Sequence, residues 1–163
     1  MIREATKDDA DAIAKIYNYY IQNTVITFEE DNLSGDELSE RIEKVQASGF
    51  SWLVAEEQGR VIGYAYSSKW NDRAAYKRTA EVTVYLSNDI VSKDWGTKLY
   101  HALFSKLREK SIHVVIGGIT LPNPASIAIH EKFGMEKVAH FKEVGCKFGE
   151  WLDVGYWQVQ LNA

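Results

Sequence analysis

The chain has 163 residues, of which 45% are hydrophobic and 12% aromatic, with a formal charge of −4 and two prolines; this excludes a disordered chain and leaves enough apolar material for a single domain over residues 1–163. No basic block or stripe occurs, so nucleic acid is not an expected partner, and no apolar run approaches membrane-spanning length. A lone Cys146 offers neither an internal disulfide nor a metal cluster, and Met1-Ile2-Arg3-Glu4-Ala5-Thr6 lacks the apolar stretch of a secretory signal, so a metal-free cytoplasmic protein off the membrane is expected.

Residues 1–5 predict a short strand, after which Thr6 is suited to cap a helix and Asp9 to favour its first turn. Ala10, Ile13, Tyr17, Tyr20 and Ile21 then recur at helical spacing. Residues 23–30 break that pattern in a loop whose one large aromatic, Phe28, is either a core plug or part of a pocket wall. Residues 33–48 resume helical spacing through Leu38, Ile42 and Val45, and Gly49 stops it. Two β-rich runs, 51–56 and 60–68, joined by Glu57-Gln58-Gly59, predict an antiparallel hairpin. The loop 69–78 carries four cations and two aromatics; it is a solvated connection unless Arg73 and Tyr76 reach the space beside the next strand.

That strand, Glu81-Val82-Thr83-Val84-Tyr85-Leu86, organises the chain. Its period of two puts Val82, Val84 and Leu86 on one face and a carboxylate, a hydroxyl and a phenol (Glu81, Thr83, Tyr85) on the other, in a segment otherwise suited to mid-sheet. Buried polar groups need partners or a purpose. A polar loop, 87–95, then delivers Gly96 to the first turn of a helix with Leu99, Ala102, Leu103, Phe104 and Leu107 along one side. Such a helix start presents unpaired N–H groups and the positive dipole end, a natural seat for phosphate. Residues 112–119 form a nearly continuous apolar run, as in a strand covered on both faces, and strand, helix and strand together suggest a parallel crossover. Asn123 and Pro124 start a further helix bearing Ser126, Ile127, Ile129, His130 and Phe133, which Gly134 ends. Residues 135–144 and 152–161 alternate as two antiparallel strands, with 145–150 as their connection.

The ordered segments Arg73-Ala74-Ala75-Tyr76, Thr79-Ala80-Glu81-Val82-Thr83-Val84-Tyr85-Leu86-Ser87, Gly96-Thr97-Lys98-Leu99-Tyr100, Leu121-Pro122-Asn123-Pro124-Ala125-Ser126, His130-Glu131-Lys132-Phe133-Gly134 and Asp153-Val154-Gly155-Tyr156-Trp157 resemble GNAT acetyltransferases of the phosphinothricin acetyltransferase type. The resemblance covers nearly the whole chain. It implies a mixed α/β fold, mostly antiparallel, with a splayed parallel strand pair and flanking helices. It also implies acetyl-CoA as co-substrate, with pyrophosphate on the loop Val91, Ser92, Lys93, Asp94, Trp95, Gly96 and Thr97. The pantetheine arm would lie along Val84, Tyr85 and Leu86, with Asn123 and Ser126 also at the cofactor. The family's loop reads Gln or Arg, two residues, Gly, one residue, Gly; here Val91, Asp94 and Gly96 stand at those positions, so only the last glycine is kept. A side chain at 94 restricts the backbone, and its carboxylate opposes phosphate unless it points away or pairs with Lys93 or Lys98.

Glu81 matches the family's catalytic glutamate, which takes a proton from the acceptor amine; otherwise it pairs with Arg73 or Arg78. Arg73 matches an arginine that helps hold the acceptor, and a guanidinium suits a carboxylate. Phe28, Tyr76, Thr83 and Tyr85 are candidates for lining the same pocket. His130 stands where many GNAT enzymes carry a tyrosine that protonates the leaving thiolate; the alternative is a helix histidine satisfied by a neighbour. The implied reaction moves acetyl directly from acetyl-CoA to the α-amine of a small amino acid or analogue of the phosphinothricin, methionine sulfoximine or methionine sulfone type. The herbicide-detoxifying members carry a lysine where Asn71 stands and histidines where Phe148 and Leu152 stand, which weakens the case for phosphinothricin itself. Acetylation of protein N-termini or polyamines, and a catalytically silent acyl-CoA-binding module, are the alternatives. A homodimer is implied by resemblance, with no surface indicated.

Overall fold

The computed structural model describes residues 1–90 and 94–161. Its centre is a seven-stranded sheet in the order β1-β2-β3-β4-β5-β7-β6, formed by β1 (Ile2–Glu4), β2 (Trp52–Glu57), β3 (Arg60–Lys69), β4 (Thr79–Leu86), β5 (Val114–Leu121), β6 (Glu136–Lys147) and β7 (Glu150–Gln160). Every neighbouring pair is antiparallel except β4 and β5. The mixed sheet is the one the resemblance implies.

Four helices cover it: α1 (Ala10–Asn23), α2 (Gly35–Ala47), α3 (Trp95–Glu109) and α4 (Pro124–Lys132). The alternation of β2 assigns their faces. Trp52 and Val54 pack with Ile13, Tyr17 and Ile21 of α1 and Leu38 and Ile42 of α2. Leu53 and Ala55, pointing the other way, pack with Leu99, Leu103, Phe104 and Leu107 of α3. Local chemistry starts the helices: Thr6 and Asp9 make a capping box on the 3-10 turn Lys7–Asp9 that runs into α1, and Ser34 and Glu37 make another at the start of α2.

The strand expected over 112–119 runs two residues later, Val114–Leu121, and a larger departure lies in the last hairpin. Residues 145–150, expected as a connection, mostly extend the two strands, and only Phe148 and Gly149, at φ 54° and 76°, make the turn. Gly145 looks like a breaker but pairs with Leu152 in the ladder, and a Cβ there would come within 2.3 Å of the Phe28 ring. Its glycine serves a close approach rather than a bend.

Candidate active site

The parallel pairing of β4 and β5 stops early. Thr79, Ala80 and Glu81 are in register with Val114, Val115 and Ile116, and no further pair forms, although β4 runs on to Leu86 and β5 to Leu121. β3 stays zipped to β4 along that length, from Lys69 opposite Ala80 to Gly63 opposite Leu86. The Ser87 N–H donates to the Ile62 carbonyl at 2.8 Å, which fixes the alternation of an antiparallel ladder. Tyr85 therefore spends its backbone groups on β3, whereas Val84 and Leu86 direct theirs toward the gap where β5 has left. Of the three residues expected to meet the pantetheine arm, two offer free backbone there, and the Leu86 carbonyl also accepts from the Tyr20 hydroxyl.

The gap is a cleft of about 100 Å³ lined on the β4 side by Glu81, Thr83, Val84 and Tyr85 and on the other by Gly118, Ile119 and Thr120, with Ile26, Tyr100, Asn123, Ser126 and His130 closing it. Because the strands part, the cleft joins both faces of the sheet. Glu81, Thr83 and Tyr85 look toward α1 and α2, and Tyr100 and His130 come from α3 and α4.

Glu81 is half-buried and joins no ion pair among the described residues. Burial alone pushes its carboxyl above the ordinary value of 4.5, toward that of a base that operates near neutrality. The alternative role as a partner of Arg73 or Arg78 does not occur: Arg78 donates to the Ser111 carbonyl at 2.9 Å, and Arg73 lies exposed ahead of the short 3-10 turn Ala74–Tyr76. Tyr76 is exposed on that turn as well, so neither lines the cleft. Phe28 also lies outside it, its ring against Gly145, and Ile26 enters the cleft in its place. Thr83 and Tyr85 do line it.

His130 is buried at 4% exposure with both ring nitrogens engaged. Nδ1–H donates to the Ser126 carbonyl at 2.7 Å, and Nε2 accepts from the Tyr100 hydroxyl at 3.0 Å. A carbonyl can only accept, so the imidazole carries its proton on Nδ1. Burial lowers the ring's pKa, which keeps it neutral. Gly117 makes room for it: a Cβ there would sit 2.7 Å from Nε2. Tyr100, fully buried and also lining the cleft, is a polar residue the sequence reading missed, because it falls among the apolar positions of an amphipathic helix. Tyr156 is a second. Its ring covers Gly118, a cleft-lining residue, although Tyr156 itself does not line the cleft.

At the helix start expected to meet the cofactor, α3 begins from Asp94, whose backbone is left-handed at φ 56° and whose side chain makes no cap. Asp94 thus adopts the conformation for which glycine is favoured, one that aspartate tolerates, and its carboxylate is left exposed. The Lys98 ammonium sits 4.6 Å over the Trp95 ring. Gly96 is buried, and a Cβ there would come 3.0 Å from Ile129 of α4. Thr97 receives Lys132 Nζ at 3.5 Å. Asn123, which lines the cleft, caps α4 by accepting the Ser126 N–H at 3.2 Å. Val91, Ser92 and Lys93, named for the same loop, lie outside the described residues. Among the described residues no cluster of metal-ligating side chains occurs, and no helix is long and apolar enough to cross a membrane.

This splayed pair, with a helix start beside it, is the architecture of an acyl-CoA transferase site, and the comparisons agree. The sequence profile of the acetyltransferase (GNAT) domain matches residues 2–155. The phosphinothricin N-acetyltransferase of Streptomyces viridochromogenes is 36% identical over 157 residues, covering 96% of this chain and 85% of its own. The L-methionine sulfoximine/L-methionine sulfone acetyltransferase of Salmonella typhimurium is 35% identical over 161 residues, covering 99% and 94%. The structure of the acetyltransferase yncA of Salmonella typhimurium with its cofactor acetyl-CoA superposes with a TM-score of 0.97 at 35% identity, over 100% of this chain and 94% of that one. The chain belongs to the GNAT acetyltransferase family, and it is an enzyme of that class.

Proposed function

We propose that the protein transfers an acetyl group from acetyl-CoA to the α-amine of a small amino acid or amino-acid analogue, by direct attack within a ternary complex. The observation that carries this reading is the stretch of β4 at Val84 and Leu86 that β5 leaves without a strand partner, beside a half-buried Glu81 that joins no ion pair among the described residues. The cofactor would lie with its pyrophosphate at the start of α3 and its thioester between β4 and β5. There the Val84 N–H can hydrogen-bond the thioester carbonyl and hold the oxyanion that develops on attack.

The acceptor enters from the α1/α2 face. Glu81, directly or through one water, takes the proton from its ammonium, and the freed amine attacks the carbonyl carbon as the carbon–sulfur bond breaks. The thiolate leaves toward the α3/α4 face, where the Tyr100 hydroxyl can turn from His130 Nε2 to give it a proton and then regain one, through water, from the second proton that the attacking nitrogen sheds as the amide forms. His130, expected as the acid, is a neutral ring that donates from Nδ1 to a carbonyl and accepts at Nε2, so the role proposed for it is to orient the Tyr100 hydroxyl. Arg73 lies outside the cleft itself, and its role as a contact for the acceptor's carboxylate is proposed from the family resemblance alone. The relatives' named substrates, phosphinothricin and methionine sulfoximine or sulfone, define the class to test first.

Self-association also belongs to this reading. Val138, Phe141, Val144, Phe148 and Trp151 are all exposed on the hairpin of β6 and β7, an apolar area of the kind that marks a protein contact, and a second copy of the chain is its proposed occupant.

The test is an acetyl-transfer assay across a panel of amino acids, analogues, peptides and polyamines, with thiol release as readout. Turnover on amino acids or their analogues is expected. Turnover confined to peptides or polyamines, or acetyl-CoA binding with no turnover on any amine, would overturn it.

A further inference from the structure

Lys147, near the end of β6, is one of the largest fully buried side chains, at 1% exposure. No salt bridge among the described residues includes it. Its one hydrogen bond goes from Nζ to the Thr27 carbonyl, 2.7 Å away and 120 residues back along the chain. A buried ammonium is costly unless its surroundings compensate, and here the further help is modest: the Phe148 ring, 5.1 Å from Nζ, and the more distant charges of Glu29 and Glu30. An apolar side chain of similar size would fill the space without that cost. Stability alone therefore explains this lysine poorly, and what it holds becomes the question.

It holds segment 24–30. Ile26 projects from that segment into the cleft beside Glu81. Thr27 is buried, and its hydroxyl is 2.7 Å from the Tyr17 phenol, whose ring meets that of Tyr85 edge-on. Glu29 is gripped by both guanidinium nitrogens of Arg41, at 2.7 and 2.8 Å. On the far side the segment meets the C-terminal hairpin twice, through the Lys147 ammonium and through the Phe28 ring on Gly145. The helices thus fix one flank of this wall and the hairpin fixes the other.

We propose that Lys147 is a positioning residue for the acceptor: by fixing the Thr27 carbonyl it sets where Ile26 and Thr27 stand over Glu81, and so how tightly the acceptor is held. This rests on the reading that the Glu81 face receives the acceptor. Lys147 does not line the cleft, and its partners, the Thr27 carbonyl and the Phe148 ring, are no part of the α3 start, so the cofactor end should be independent of it.

The experiment compares wild type with Lys147→Met by steady-state kinetics, thermal unfolding and amide hydrogen exchange, with Gly145→Ala as a second disturbance of the same flank. For Lys147→Met we expect exchange in segment 24–30 faster by about tenfold, acceptor KM higher by about tenfold, acetyl-CoA KM within twofold and no loss of Tm. Gly145→Ala, which drives Phe28 away, should shift acceptor KM in the same direction. Unchanged exchange, unchanged acceptor KM, a parallel rise of both KM values, or a lower Tm with unaltered kinetics would each overturn the proposal. A wild type that acetylates no amine would instead overturn the transfer reading, and with it the acceptor role given to Lys147; the exchange data would still report whether the lysine holds the segment.

Discussion

The Tyr100 hydroxyl lies 3.0 Å from Nε2 of His130, and the other ring nitrogen is committed to the Ser126 carbonyl at 2.7 Å. The direction of this chain, phenol to imidazole to backbone, keeps the histidine neutral and turns the phenol into the polar group that α3 offers the cleft. Tyr100→Phe should lower kcat by about 10²-fold or more if the phenol protonates the thiolate, with acetyl-CoA affinity preserved. It also leaves Nε2 buried without a partner, which costs about 1–3 kcal/mol, so a Tm lower by a few degrees is expected by differential scanning fluorimetry.

Glu81→Gln removes the base and keeps the shape. A fall in kcat of about 10²–10⁴-fold is expected with little change in acetyl-CoA affinity, measured by assay and calorimetry. In wild type, kcat/KM should rise with pH along an acidic limb whose midpoint lies above 4.5, as burial demands.

The same substitution should stabilise the fold. The native carboxyl holds its proton more tightly than the unfolded one, so wild-type stability falls as pH rises from 4.5 through the raised native value. Glutamine has no such dependence. The Tm of Glu81→Gln minus that of wild type should thus be near zero below 4.5, grow through that window, and stay positive above it; a negative difference at neutral pH would show that the carboxylate is stabilised in a way its surroundings do not reveal.

Asp94→Gly should tighten acetyl-CoA binding. The change relieves a left-handed aspartate at φ 56° and removes an anion from a helix start, where charge matters by about 0.3–1 kcal/mol, roughly a two- to fivefold change in Kd. Titration calorimetry reads it directly, and weaker binding would mean that the carboxylate helps order the loop.

Periodicity alone located the strand that carries Glu81, since a polar face on a β-branched strand is conspicuous at any burial. The capping residues and the crossover could be read in the same way, because caps, turns and alternation are local. The splay could not: that β4 and β5 part after Ile116 is set by tertiary packing, and nothing in either strand's composition encodes it. Tyr100 hid in a helix pattern for which a phenol counts as apolar. Lys147 looked like any surface cation, because its burial depends on a loop 120 residues earlier. Arg73 and Tyr76 are expected near the pocket because their loop directly precedes the polar-faced strand, and Phe28 as a lone loop aromatic; their side chains stand outside the cleft, because loop direction is not set by sequence neighbourhood.

Amide hydrogen exchange by NMR, with and without a thioether analogue of acetyl-CoA that cannot transfer its acyl group, tests the centre of this account. Protection appearing at Val84 and Leu86, with Tyr85 already protected by β3 and unchanged, is the predicted result. Saturation by the analogue with no change at Val84 would place the thioester elsewhere and contradict it.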